Sequence, residues 1–273
     1  MVVDSAQGPI LASDLDPRAA SARDVADVLA DKELTEALEA AERPPQTTIK
    51  STFSFAPPVL SPSKIIGVGL NYHRHARESG AEPPARPVLF AKWPNSLRGS
   101  GEPIPAHRDT SALDYEGELA VVISRVAKRV PRERALEVVG GFCCANDVTA
   151  RDLQRGPGGQ WVRSKSLDGF CPIGPWVATP KEVGDWRQLR IRTWVNGELR
   201  QDELCGDMIF GVEALIEEIT TSITLVPGDL ILTGTPAGVG MGFSPPRWLA
   251  PGDLVDVEIS GIGKLSSRVA PAE

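Results

Sequence analysis

Apolar residues fall mostly into short runs separated by Gly and Pro, a pattern that predicts many strands and few long helices. Seven runs have strand character: "KIIGVGL", "PVLFAKW", "ELAVVIS", "GPWVAT", "LRIRTWV", "DLILTG" and "DLVDVEISG". In "RTWVNGELRQ" the pair Asn196-Gly197 supplies the positive φ angles of a tight hairpin turn. "VPGDLILTG" and "APGDLVDVEIS" each set Pro-Gly-Asp ahead of an apolar run, a turn followed by a strand.

Helical spacing is rarer. Ser21 to Ala41 is predicted as one helix, stopped by Pro44-Pro45. "PRERALEVVGG" predicts a short helix ending at glycine, and "DMIFGVEALIEEITTSI", from near Asp207, an amphipathic one. Strands outnumber helices and do not alternate with them regularly, which disfavours a doubly wound parallel sheet. The expected organisation is mixed α+β and β-rich: a small N-terminal domain over residues 1–60, closed by "FAPPVLSPSK", then a larger domain over 61–273. No repeat or low-complexity tract interrupts it.

Composition narrows the function classes. The 26 Gly and 24 Pro fit a turn-rich chain. A formal charge of −7 with no basic cluster argues against a nucleic-acid partner. "MVVDSAQGPI" has no charged or apolar signal region, and no apolar stretch reaches bilayer length, so a cytoplasmic protein is expected. The four cysteines form no CxxC pair and there are only three histidines, so a structural zinc site is disfavoured and buried thiols are expected.

Against that background "DYEGELAVVI" stands out. Glu116 and Glu118, at the head of a predicted strand, point to the same face, where two buried carboxylates repel unless positive charge joins them. In "CCANDVTARDLQ", Asp147 is either a helix cap or a third acid. Three carboxylates plus waters would suit Mg²⁺ or Mn²⁺, whereas a solvated edge strand would need no metal. In "GLNYHRHARESG", His75 and Glu78 meet if the segment is helical, giving an oriented imidazole base; otherwise they are an exposed polar turn. Lys165 in "GGQWVRSKSLDGF" is a pocket or a surface lysine. "ILTGTPAGVGMG" lacks the P-loop lysine; its backbone N–H groups and Thr235 either grip an anion or form a plain glycine turn.

From about Lys64 onward the chain closely resembles the fumarylacetoacetate hydrolase family, in its small bacterial, acylpyruvate-hydrolase-like branch. The matching stretches are "GLNYHRHARE", "PVLFAKW", "DYEGELAVVI", "ANDVTARDLQ", "SKSLDGFCPIGPW", "VNGELRQ", "DMIF" and "PGDLILTGTPAGVG". The resemblance implies a mixed β-roll around a divalent metal, commonly in a homodimer. It puts the metal ligands on Glu116, Glu118 and Asp147, and the water-activating dyad on His75 and Glu78 in a segment that closes as a lid. Lys165 is the implied catalytic lysine, and Gln154, Thr235 and Lys92 the implied substrate contacts. "SKSLDGF" departs from the family's usual "GKSFDT", so a reshaped wall around Lys165 is expected, and Trp93 and "GAEPPARP" are expected to change which substrate tail fits.

The implied activity is metal-dependent hydrolysis of a C–C bond in acylpyruvates or related β-diketo acids, giving pyruvate and a carboxylic acid. The alternatives are an oxaloacetate decarboxylase, or an isomerase or hydratase of a hydroxymuconate-type diacid in aromatic catabolism. In each case the partner is a small 2-oxo acid.

Overall fold

The computed structural model describes residues 2–3, 10–41 and 54–272. Two sheets dominate. The first orders its seven strands as Val88–Lys92, Ile65–Gly69, Leu230–Leu232, Gly117–Ile123, Val139–Asn146, Cys171–Ala178 and Leu97–Arg98. The second orders five: Glu198–Leu204, Arg190–Val195, Leu254–Ile259, Gly263–Ala270 and Ile104–Pro105. Pairing is mostly antiparallel, with parallel exceptions such as Leu230–Leu232 against Ile65–Gly69. This is the mixed, β-rich α+β fold expected, a curled half-barrel of sheet.

Burial follows the two sheets. Gly117–Ile123 and Val139–Asn146 are buried at every position, because the seven-stranded sheet is covered on both faces. Leu119, Val121 and Ile123 join Val257, Ile259 and Leu265 of the second sheet in the main core. Ala120 and Val122 face the other way, with Leu230, Leu232, Ala26 and Leu29. Arg190–Val195 and Leu254–Ile259 instead alternate buried and half-buried positions, as one-sided strands do.

Two helix expectations change. The predicted Ser21–Ala41 helix is broken: a 3-10 turn spans Pro17–Ser21, and helices span Val25–Ala30 and Lys32–Ala40. Asp31 lies between them in an extended conformation, and its carboxylate accepts from Leu34 N, capping the second helix. Pro44-Pro45 lies outside the described residues. "PRERALEVVGG" forms a 3-10 helix at Arg132–Val138, and its glycines belong to the next strand, which the β-branched Val139 opens. The strongest helix of the second half spans Val212–Ser222 and buries Val212, Leu215, Ile216 and Ile219 in the main core.

Candidate functional site

The motif Glu116-Gly117-Glu118 has a three-dimensional reason. Gly117 faces the second sheet, where a Cβ would meet Thr193 Oγ1 at 2.1 Å, so the sheets approach only over a glycine. The glutamates turn to the opposite face. There Asp147, at the end of the neighbouring strand, joins them, and one oxygen from each of the three lies within 4.8 Å of the others. Asp147 is no helix cap; it is fully buried beside the acids.

The chain brings its own positive charge. Lys165 Nζ donates to Glu116 Oε2 and Asp147 Oδ2, both at 2.7 Å, and to Thr149 Oγ1 at 2.8 Å. It also stands 5.0 Å from the centre of the Phe90 ring. Arg151 donates through Nε to Asp114 Oδ2 at 2.8 Å and through Nη1 to Gln154 Oε1 at 3.1 Å, and its Nη2 lies 2.6 Å from Glu116 Oε1. Burial would push the Glu116 carboxyl up, but Lys165 and Arg151 together hold it well below the usual carboxylate range. Burial would strip the Lys165 proton, but Asp147 and Glu116 hold it on.

Glu118 is treated differently. Burial first, then Asp147 and Glu116, push its carboxyl well above the ordinary value, and its one described donor is Gly234 N at 2.7 Å. An all-oxygen set with one acid short of positive charge fits a hard divalent cation. Formal charge agrees. Four buried carboxylates (Asp114, Glu116, Glu118, Asp147) face three buried cations (Lys92, Arg151, Lys165), leaving one negative charge. A divalent ion would reverse that to one positive, which suits an anionic acid.

Above the acids lies a cavity of about 190 Å³ whose walls include His75, Glu116, Arg151, Gln154, Lys165 and Thr235. His75 sits on the helix His73–Glu78, where Nδ1 is 3.2 Å from Glu78 Oε2. The other ring nitrogen, Nε2, is left for chemistry. This segment has more apolar anchorage than its sequence suggests. Tyr72 and Ala76 are buried, and Asn71 ties its root to Phe210 and Thr233.

The Gly-rich loop after Leu232 grips anions, and they are the protein's own. Gly234 N donates to Glu118, Gly238 N to Glu78 Oε1, Gly240 N to Asp114 Oδ1 and Met241 N to Asp114 Oδ2. Thr235 Oγ1 donates to Gly117 O and accepts from Gln201 Nε2. Lys92, expected at the substrate, lies behind the cavity instead. Its ammonium is 2.7 Å from Asp147 Oδ1 in ion-pair geometry and donates to the carbonyls of Lys165 and Phe170. Its side chain has no exposure, so it braces the acids from below.

Sequence reasoning passed over Arg151, Asp114 and Gln201. Arg151 and Asp114 were visible in the quoted motifs, but nothing local signalled that they pair with each other across 37 positions. Gln201 bonds Gly117 N and Thr235 Oγ1, tying the strand head to the loop. All four cysteines are free and buried, and burial pushes the Cys143, Cys171 and Cys205 thiols up to about 12.

The half-barrel thus carries a buried carboxylate cluster beside a helix with a His–Glu pair. The pattern described as fumarylacetoacetate (FAA) hydrolase C-terminal matches residues 64–270, and the chain belongs to the fumarylacetoacetate hydrolase family. It is 45% identical over 216 residues to oxaloacetate tautomerase YisK of Bacillus subtilis, covering 78% of this chain and 71% of that one. Among solved structures, a fumarylacetoacetate hydrolase from Exiguobacterium antarcticum is 38% identical with a TM-score of 0.84, covering 100% of this chain and 95% of that one. A 2-hydroxyhepta-2,4-diene-1,7-dioate isomerase from Mycobacterium marinum is 41% identical with a TM-score of 0.69, covering 79% and 77%.

Proposed function

We propose that the protein is a divalent-metal-dependent enzyme of 2-oxo acids that moves a proton at the carbon beside the keto group, a keto–enol tautomerase or isomerase. The observation that carries this is His75, paired with Glu78, on the wall that also holds Glu116 and Lys165. Mg²⁺ or Mn²⁺ held by Glu116, Glu118 and Asp147 would supply Lewis-acid charge to the oxo-acid oxygens. Glu78 orients the imidazole, so His75 Nε2 takes the proton from carbon and delivers it to the oxygen that has become negative, or carries it the other way from enol to keto. Lys165 and Arg151 keep positive charge beside the oxygen that becomes negative. Nothing further is needed for a proton shift, and two of the three relatives above carry tautomerase or isomerase names.

Hydrolysis of acylpyruvates is the second reading. It needs the same base to act on water, and the relative named a hydrolase favours it. One panel separates the two. Metal-loaded protein is given enol oxaloacetate, acetylpyruvate and fumarylpyruvate, following loss of enol absorbance and appearance of pyruvate. Tautomerisation should proceed without pyruvate, and His75→Ala should slow it by roughly 10²–10⁴-fold. Pyruvate from the acylpyruvates replaces the first reading with the second. Turnover of none of the three overturns both.

A further inference from the structure

Glu78 is engaged at both ends of its carboxylate. Oε2 lies 3.2 Å from His75 Nδ1, and Oε1 accepts from Gly238 N at 2.9 Å. The last torsion of a glutamate is broad, so the imidazole alone does not fix how the carboxylate is turned. Among the described residues the Gly238 N–H is its only other donor. The direction of that N–H therefore sets the plane in which Glu78 meets His75.

Gly238 is itself held from two sides. Its φ is +106°, and a Cβ would collide with the carbonyl oxygen of Arg200, so the backbone is pressed onto the strand Glu198–Leu204. Its own carbonyl accepts from the Tyr115 hydroxyl at 2.8 Å. The Tyr115 ring is buried in the main core with Leu119 and Val257, which makes it a rigid mount.

Packing alone does not account for that hydroxyl. A phenylalanine would fill the same space with no hydroxyl to desolvate. Nor does the loop need it as an anchor. On one side of Gly238, Pro236 O accepts from Gln201 Nε2 at 2.8 Å; on the other, Gly240 N donates to Asp114. What the hydroxyl adds is the orientation of Gly238.

We infer that Tyr115 is a positioning residue for the base: through Gly238 it turns the Glu78 carboxylate toward His75 Nδ1 and so keeps Nε2 free of its proton. This rests on the reading that His75 Nε2 moves the proton. Tyr115 does not line the cavity, and it acts only through Gly238 and Glu78. Besides Glu78, the charged groups facing His75 are Glu116, Arg151, Arg155 and Lys165 across the cavity, and Tyr115→Phe leaves all of them in place.

The test reads the His75 tautomer from the ¹⁵N shifts of its ring, in Mg²⁺-saturated protein at a pH where the ring is neutral. Only three histidines need assigning. Wild type should carry the proton on Nδ1. In Tyr115→Phe the two tautomers should mix. Its kcat on whichever 2-oxo acid is turned over should fall about tenfold, the order of one lost hydrogen bond, with KM within about twofold. Phe243→Leu is the comparison. The Phe243 ring lies 5.0 Å from the Arg200 guanidinium and 4.7 Å from that of Arg247, so its loss loosens the chain beyond Gly238. That variant should lower the unfolding midpoint and keep the wild-type tautomer. A Tyr115→Phe protein with the wild-type tautomer overturns the inference and leaves the proposed reaction standing, as does an equal shift in both variants. A proton on Nε2 in wild type overturns both the inference and the base. If no 2-oxo acid is turned over, the reaction falls and the tautomer still decides on Tyr115.

Discussion

Asp24 and Asp114 are the same residue type in opposite surroundings. Asp24 caps the helix Val25–Ala30 from a half-exposed position, accepting from the backbone of Ala26, Asp27 and Leu60. Asp114 is fully buried, and its partners are Arg151 and the backbones of Tyr115, Gly240 and Met241. If Asp24 is lost, water reaches the freed N–H groups. If Asp114 is lost, a buried guanidinium loses one of its two acids, and Arg151 passes the disturbance to Glu116. A carboxylate near water therefore acts alone, whereas a buried one acts only as a member of its set.

The most severe way to break that contrast is Asp114→Ala. It should destabilise the protein by about 3–5 kcal/mol, as removal of one partner from a buried ion pair does. Urea unfolding within 1 kcal/mol of wild type would mean the buried acids are not interlocked (about one pair's measurement scatter). Next comes Glu118→Gln, among the described residues the one buried acid without a cation of its own. Its Mn²⁺ affinity should fall more than about tenfold because affinity follows ligand charge, while metal-free stability should not drop. Calorimetric titration and unfolding of the same sample check both halves. Asp24→Ala should lower stability by about 1 kcal/mol through its cap, with the metal affinity unchanged. Least of all, Glu137→Ala removes an exposed partner of Arg134 and should leave the unfolding midpoint unmoved.

The same contrast explains what could be read from the chain. "LRIRTWV" and "DLVDVEISG" were legible as short strand runs beside turn signals, and the structure shows them alternating buried and half-buried positions because water touches one face. Glu116 and Glu118 were conspicuous since no buried strand head carries two acids without cause. His75 and Glu78 are close in sequence, so helical spacing alone could bring them together. Lys165 contacts Glu116 across 49 positions, and Arg151 contacts Asp114 across 37. Such pairings depend on how sheets curl and loops cross, and neither leaves a local mark. Lys92 ends the edge strand Val88–Lys92, whose other positions are half-buried or exposed, and its full burial against Asp147 and the carbonyls of Lys165 and Phe170 leaves no mark in its own motif. The break at Asp31 was hidden because an acid inside a helical pattern looks like one more polar position.

The loop from Gly234 to Gly242 ties together the acidic cluster, the His75–Glu78 pair and the Arg151 anchor. Within nine residues it meets Glu118 of the acidic cluster, Glu78 beside His75, and Asp114, the acid that anchors Arg151. Gly242 adds a mechanical stop, since a Cβ there would lie 2.0 Å from Glu78 Oε1. The loop thus works as a ruler between the His75–Glu78 pair and the acids: a residue inserted or removed between Gly234 and Gly242 would shift the imidazole, the cluster and the Arg151 anchor against one another at once.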